Sequence, residues 1–145
     1  MGLFDAIDIS ASGLTAQRLR MDVTAENLAN AQTTRTPEGG PYRRKTVILQ
    51  QAGGGFAGQL AGAFGPSGAP EGVEVSGIVP DSTPLRRVYD PGHPDADANG
   101  YVTMPNVNPV TEMVDLIDAS RAYQANVTAM QTTKTAFAKT IELLR

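Results

Sequence analysis

Apolar residues recur at alternating three- and four-residue steps at both ends of this chain, and the stretch between the ends has no such rhythm. Near the N-terminus the series is Phe4, Ile7, Ala11, Leu14, Met21, Ala25 and Leu28, with Arg18 as its one polar member. Near the C-terminus it runs Met113, Leu116, Ser120, Tyr123, Val127, Met130, Lys134, Phe137, Ile141 and Leu144. A repeat averaging about 3.5 residues keeps one stripe of a helix turned toward a partner helix along its whole length, as a coiled-coil seam requires. The pattern predicts two long terminal helices that want partners, either each other or neighbouring chains. It points to assembly rather than catalysis.

The second helix has a readable start. Asn108 can accept a hydrogen bond from a free first-turn N–H, and Pro109 after it has no N–H to leave unsatisfied. Glu112, Asp115 and Asp118 lie early, and Lys134, Lys139 and Arg145 lie late, each sign at the end of the helix dipole that stabilises it. The first helix, expected over about residues 3–30, is weaker by propensity. Ser10, Ser12, Gly13 and Thr15 sit in its first half, and Gly alone costs about 1 kcal/mol relative to Ala, so this helix needs packing to persist. At about 1.5 Å per residue the two helices would span about 42 and 54 Å. Two such helices cannot bury all their apolar surface on each other, which leaves a self-contained hairpin or a core shared between subunits.

The chain of 145 residues suits one ordinary domain, or a small domain with extensions, but its core would be thin: 41% of residues are hydrophobic, 6% aromatic and none is Trp. All 10 Pro and most of the 15 Gly fall between residues 37 and 109. With a net charge of −3 and 12 basic residues that form no long run, nucleic-acid binding is disfavoured, because it needs a basic face. The absence of Cys excludes a disulfide framework and thiolate metal sites. Asp5 and Asp8 interrupt any apolar signal region at the N-terminus, and no apolar run approaches the about 20 residues of a membrane span. The chain is expected to be soluble, or to leave the cell by a route other than a secretory signal.

Between the helices, strands are predicted over residues 42–51, 72–79, 85–89 and 101–104, where β-branched and aromatic residues cluster between turn residues. Residues 53–72 contain eight Gly with Phe56, Leu60 and Phe64 among them, and read as a long mobile loop. The expected fold is α+β: N- and C-terminal helices packed as an antiparallel coiled-coil hairpin, with a small antiparallel β unit inserted. Residues 1–35 and 106–145 would form the helical assembly domain, and residues 36–105 a β domain with its Gly-rich loop at 52–72.

Candidate chemistry is sparse. Asp95, Asp97, Asn99 and Gly100 match the opening of a calcium-binding EF-hand loop, but Asn106 stands where the bidentate Glu is required and Pro105 precedes it. The segment reads instead as a Pro- and Asp-rich turn whose carboxylates bind local N–H groups. His93, the only histidine, sits between Gly92 and Pro94 with no nucleophile placed beside it. No catalytic, cofactor or metal residues are assigned, and enzyme function is not expected. Tyr42, Arg43, Arg44 and Lys45, with Arg86 and Arg87, are the only basic concentrations. Most simply they are solvated strand faces, and alternatively they pair with acidic patches on adjacent subunits.

The stretch from Ala11 to Arg20, continuing to Asn27, Leu28, Ala29 and Asn30, resembles the N-terminal signature of the bacterial flagellar rod and hook axial proteins. Further stretches at Pro41–Lys45, His93–Asp97, Gly100–Val102, Met104–Met113 and Leu116–Asn126 resemble rod proteins of that family in the same order. The Gly-rich loop departs from the pattern. The resemblance implies a structural subunit of the basal-body rod, in its proximal part, exported by the flagellar type III apparatus without a Sec signal. It implies as partners further copies and other rod subunits at the base of the rod, near the MS ring and export gate, with no nucleic acid, membrane insertion or small-molecule substrate.

Leu14, Met21, Leu28, Tyr123, Val127, Met130, Phe137 and Leu144 are the expected packing residues between subunits, and Asn27, Asn30 and Asn126 the polar residues that fix register. For the three Asn residues, helix capping or solvent exposure is the plain alternative. The rival reading of the chain is a soluble coiled-coil adaptor or chaperone acting as a monomer or dimer. A membrane-surface helix is a poor match, because Asp5, Asp8, Asp22 and Glu26 outnumber Arg18 and Arg20.

Overall fold

The computed structural model describes residues 3–52 and 72–143. The elements run in the order α1 (Leu3–Ala29), β1 (Lys45–Gln51), β2 (Val73–Pro80), β3 (Arg86–Tyr89), β4 (Tyr101–Met104) and α2 (Pro109–Leu143). The α+β class and all six elements agree with the sequence-based expectation. The strands, however, do not join in one unit but form two separate two-stranded sheets, β1–β2 and β3–β4. The Gly-rich segment lies outside the described residues except at its two ends.

The ladder of β1 and β2 is closed by Ala52 N–H donating to Gly72 C=O (2.8 Å) at one end and Asp81 N–H donating to Arg44 C=O (2.7 Å) at the other. In the second sheet Val88 lies opposite Val102 and Tyr89 opposite Tyr101. Gly100 ends the connection between those strands with φ of +78°, a conformation that L side chains rarely adopt. A Cβ there would also fall 2.9 Å from the Tyr89 ring.

The chain divides into two compact units. One comprises Met1–Leu19, Ile48–Gly77 and Ala119–Arg145, the other Arg20–Val47 and Ile78–Asp118. In the first unit the weak helix formers of α1 have specific uses. The hydroxyls of Ser10 and Thr15 donate back to the carbonyls of Ala6 (2.8 Å) and Ala11 (3.1 Å). Ser12 Oγ donates to Ile9 C=O at 2.7 Å and accepts the N–H of Val73 at 3.0 Å, which ties the first residue of β2 to the helix. Gly13 lets Asn126 of α2 come close, since a Cβ at Gly13 would meet Asn126 Nδ2 at 2.8 Å.

In the second unit α2 starts as expected: Asn108 Oδ1 accepts the Val110 N–H (3.0 Å) and its carbonyl accepts the Glu112 N–H (3.0 Å). The helices run antiparallel here, with Asn27 bonded to Glu112 and Arg20 paired with Asp115. The buried hydrophobic residues of this unit are Val23, Ala31, Tyr42, Val102 and Val107, of which Ala31, Tyr42 and Val107 form one cluster.

A Gly to Ala change in a helix interior ordinarily stabilises by about 1 kcal/mol. Gly13→Ala is expected to lose that gain against Asn126, and Gly13→Ala with Asn126→Ala to recover it. Urea-unfolding midpoints of the four chains of this cycle measure the coupling.

Candidate functional site

A buried polar cluster in the second unit joins α1, β1 and α2. Asn27 on α1 is 1% exposed, and its amide is saturated. Nδ2 donates to Lys45 C=O (2.8 Å) and to Glu112 Oε2 (3.0 Å). Oδ1 accepts from Lys45 N–H (2.9 Å) and from the Tyr42 hydroxyl (3.0 Å). Glu112 on α2 is also 1% exposed, and its other oxygen accepts from Arg44 Nε at 2.6 Å. A carboxylate at that depth survives only when it is paired and hydrogen-bonded, as it is here.

Arg44 extends the cluster toward the surface. Its guanidinium reaches Asp115 at 3.2 Å and Asp81 at 3.6 Å, and its backbone N–H donates to Asn106 Oδ1 at 2.8 Å. Asn106 Nδ2 in turn donates to Thr83 C=O at 3.1 Å. The hydrogen bond to Glu112 chiefly, helped by the neighbouring carboxylates, raises the Arg44 pKa above its ordinary value. Burial chiefly, with the nearby charges of Glu26 and Glu112, pushes the Tyr42 hydroxyl up to about 12.

Of the residues singled out for register, Asn27 lies in this cluster. Asn30 closes the end of α1 instead, its Nδ2 donating to Glu26 C=O (2.9 Å) and its Oδ1 accepting from the Thr33 hydroxyl (3.1 Å). Asn126, half-buried, faces Gly13. The side of α1 that the chain itself buries carries Ala16, Val23 and Asn27. The series through Ala11, Leu14, Arg18, Met21, Ala25 and Leu28 lies roughly 150° around the helix from it, at about 100° per residue. Leu14, Met21 and Leu28 are half-buried there. On α2, Tyr123, Val127 and Met130 are half-buried and Phe137 is exposed. Leu144 lies outside the described residues.

Sequence reasoning missed Arg44 and Glu112. The basic run at Tyr42–Lys45 suggests a solvated strand face or pairing with acids of an adjacent subunit, yet the Arg44 charge pairs with acids of its own chain. Glu112 was read only as a first-turn acid suited to the dipole. The signal for both was spacing between distant segments, which a single chain's periodicity does not carry.

The Asp-rich segment 90–100 is a turn. Asp97 Oδ1 accepts the N–H groups of Asn99 (2.8 Å) and Tyr101 (2.9 Å), its Oδ2 pairs with Arg87 at 2.8 Å, and Asp90 Oδ1 accepts the Gly92 N–H at 3.2 Å. The backbone bonds to Asp97 chiefly, with Arg87 beside it, hold its carboxyl below the usual range. His93 Nδ1 accepts the Asp95 N–H at 3.1 Å. A cleft of about 450 Å³ between Thr34, Arg35, Asp95 and Tyr101 offers no uncommitted carboxylate: Asp95 holds the Thr34 hydroxyl at 2.8 Å and Asp97 holds Arg87. Among the described residues no group of three or more His, Asp or Glu is placed to hold a metal, and no helix is long and apolar enough to cross a membrane.

Glu112→Ala leaves Asn27 Nδ2 and Arg44 without their shared acceptor. A loss of about 3 kcal/mol is expected, at the low end for a broken buried pair because Arg44 keeps Asp81 and Asp115. Chemical denaturation measures it. Tyr42 contributes stability in its neutral form. That contribution is whole below pH 10, the ordinary phenol value, and is lost as pH rises through about 12. An ultraviolet phenolate titration is expected to show one of the 4 tyrosines ionising late, and Tyr42→Phe to remove that late component.

Comparison with known proteins adds identity to this geometry. Residues 7–35 match the family described as "Flagella basal body rod protein", and residues 98–143 the family described as "Flagellar basal body rod FlgEFG protein C-terminal". These two stretches contain Asn27 and Glu112, the two halves of the buried contact. The chain is 50% identical over 148 residues to "Flagellar basal-body rod protein FlgC" of Bacillus subtilis, covering 99% of each chain. It is 46% identical to the protein of the same name from Borreliella burgdorferi, covering 100% of this chain and 99% of that one. To that of Salmonella typhimurium it is 43% identical, covering 99% and 98%. With this similarity running along its whole length, the chain belongs to the FlgC family of flagellar basal-body rod proteins.

Proposed function

We propose that this chain is a structural subunit of the flagellar basal-body rod, built into its proximal part and working by assembly rather than catalysis. The observation that carries the reading is the end-to-end similarity to rod proteins. The exposed apolar surface supports it physically. Among the described residues the buried hydrophobic ones are Ala and Val apart from Tyr42, whereas thirteen large hydrophobic side chains lie 37–65% exposed. A chain with so little of its own core is suited to gaining stability from neighbours.

In this reading α1 and α2 pack as an antiparallel coiled coil, and residues 1–35 and 106–145 form the assembly domain around a β domain of residues 36–105. Leu14, Met21, Leu28, Tyr123, Val127, Met130, Phe137 and Leu144 contribute packing area, and Asn27, Asn30 and Asn126 hold register. Packed terminal helices resist twisting, which suits a shaft that transmits torque. The partners are further copies and other rod subunits at the base of the rod, near the MS ring and export gate. The chain reaches them through the flagellar export apparatus.

The test is fractionation of basal bodies from the native cell carrying a tagged copy. Co-purification with the rod after detergent extraction is expected, together with loss of rod and filament when the gene is deleted. A chain that stays in the soluble fraction, in cells that build flagella without it, overturns the reading in favour of a soluble adaptor.

A further inference from the structure

Two surfaces in the second unit expose large hydrophobic side chains. The first is one face of the β3–β4 ribbon. Tyr89 and Tyr101 lie opposite each other, 64% and 42% exposed, with ring centroids 5.3 Å apart in an edge contact. Arg87 lies on the same face, its guanidinium 5.1 Å from the Tyr101 centroid and held by Asp97 at 2.8 Å. Tyrosine and arginine are the residues enriched where binding energy concentrates, and these are already fixed by their mutual contacts, so little rotamer freedom remains to be lost.

The second surface is the outer side of the first two turns of α2. Val110, Met113, Val114 and Ile117 follow three- and four-residue steps and are 45–65% exposed. Glu112, on the inner side of the same turns, is buried and Asp115 beside it half-buried. The helix is therefore polar where it is covered and apolar where it is open, the reverse of an ordinary surface helix. It cannot roll to hide the stripe, because Glu112 is bonded to Asn27 and Arg44.

We infer that the Tyr89–Tyr101–Arg87 face of one copy docks on the Val110–Ile117 stripe of the next copy. The dimensions agree: four residues of strand and two turns of helix each extend about 10 Å. Chemistry agrees as well. Met113 offers sulfur to tyrosine rings, and Asp118, exposed at the edge of the stripe, offers a carboxylate to Arg87, so that attraction sets orientation. A contact between two different surfaces passes from copy to copy, and it builds an open helix, as a rod requires, when the rotation between copies does not close into a ring. The inference rests on the rod reading and names one of its contacts.

The natural absence of Cys makes the test direct. Full-length Tyr89→Cys and Val114→Cys chains, purified separately and mixed, are treated with a short bismaleimide. Mixed dimers joining the two positions are expected in excess over either self-linked species. Tyr89→Ala and Asp118→Arg, both at exposed positions, are each expected to raise the concentration needed for self-association in sedimentation about tenfold or more, and Asp118→Arg, which breaks no contact within the chain that the ring pair depends on, to do so with an unchanged thermal melt. If the chain self-associates but neither the mixed cross-link nor these shifts appear, the contact is wrong and the rod reading stands. Preferential Val114 to Val114 linkage overturns it in favour of a two-fold contact. A chain that remains monomeric throughout overturns it too, and the basal-body fractionation then decides separately whether the chain is a rod subunit.

Discussion

The rest of the second unit depends on one buried carboxylate. Glu112 is 1% exposed, and removing a charge from water at that depth is costly unless partners replace the solvent. The replacements come from three segments far apart in the chain: Asn27 on α1, Arg44 at the entry to β1, and through Arg44 the carboxylate of Asp81 just after β2. Each is held in turn by the others. Asn27 is saturated by Lys45 and Tyr42 as well as Glu112, so the backbone entering β1 is fixed relative to both helices. A hydrophobic contact tolerates sliding, whereas a set of directional bonds to one carboxylate penalises every displaced register.

That arrangement has a consequence for polarity. Because the inner side of the first turns of α2 is occupied by charge, the apolar residues of those turns, Val110, Met113, Val114 and Ile117, are left on the outside. In a protein that ends at its own surface this would be a liability toward non-specific association. In a subunit that is covered by neighbours, the same placement separates two tasks. Directional polar contacts set the shape of the chain, and non-directional apolar contacts remain available for assembly.

The elements themselves were legible because their signals are local. Asn108 and Pro109 mark the start of α2, and the bonds that Asn108 accepts from the Val110 and Glu112 N–H groups are the ones its sequence position implies. The turn at residues 90–100 was likewise readable from Asp and Gly spacing, and Asp97 binds its neighbours' N–H groups as such a turn requires. Long-range pairing was not legible. Nothing near Arg44 distinguishes it from Arg43, which is exposed, except that its partner lies 68 residues further on. The separation of the strands into two sheets escaped for the same reason. Alternation marks a strand but does not say which strand lies beside it.

The apolar repeat carried a different kind of information from the one periodicity alone suggests. On α1 the buried positions include Ala16, Val23, Thr24 and Asn27, with Gly13 against Asn126, residues that are mostly small or polar. Small residues let the helices approach, and a polar one fixes where. The apolar series through Leu14, Met21 and Leu28 lies roughly 150° away by helical geometry. A helix with two such faces can hold its own chain with one and present the other elsewhere. The repeat is therefore only partly consumed by the fold of one chain: Leu14, Met21 and Leu28 are half-buried, whereas Phe137 and Ile141 are exposed, and Asn27 with Glu112 fixes where α1 and the start of α2 meet.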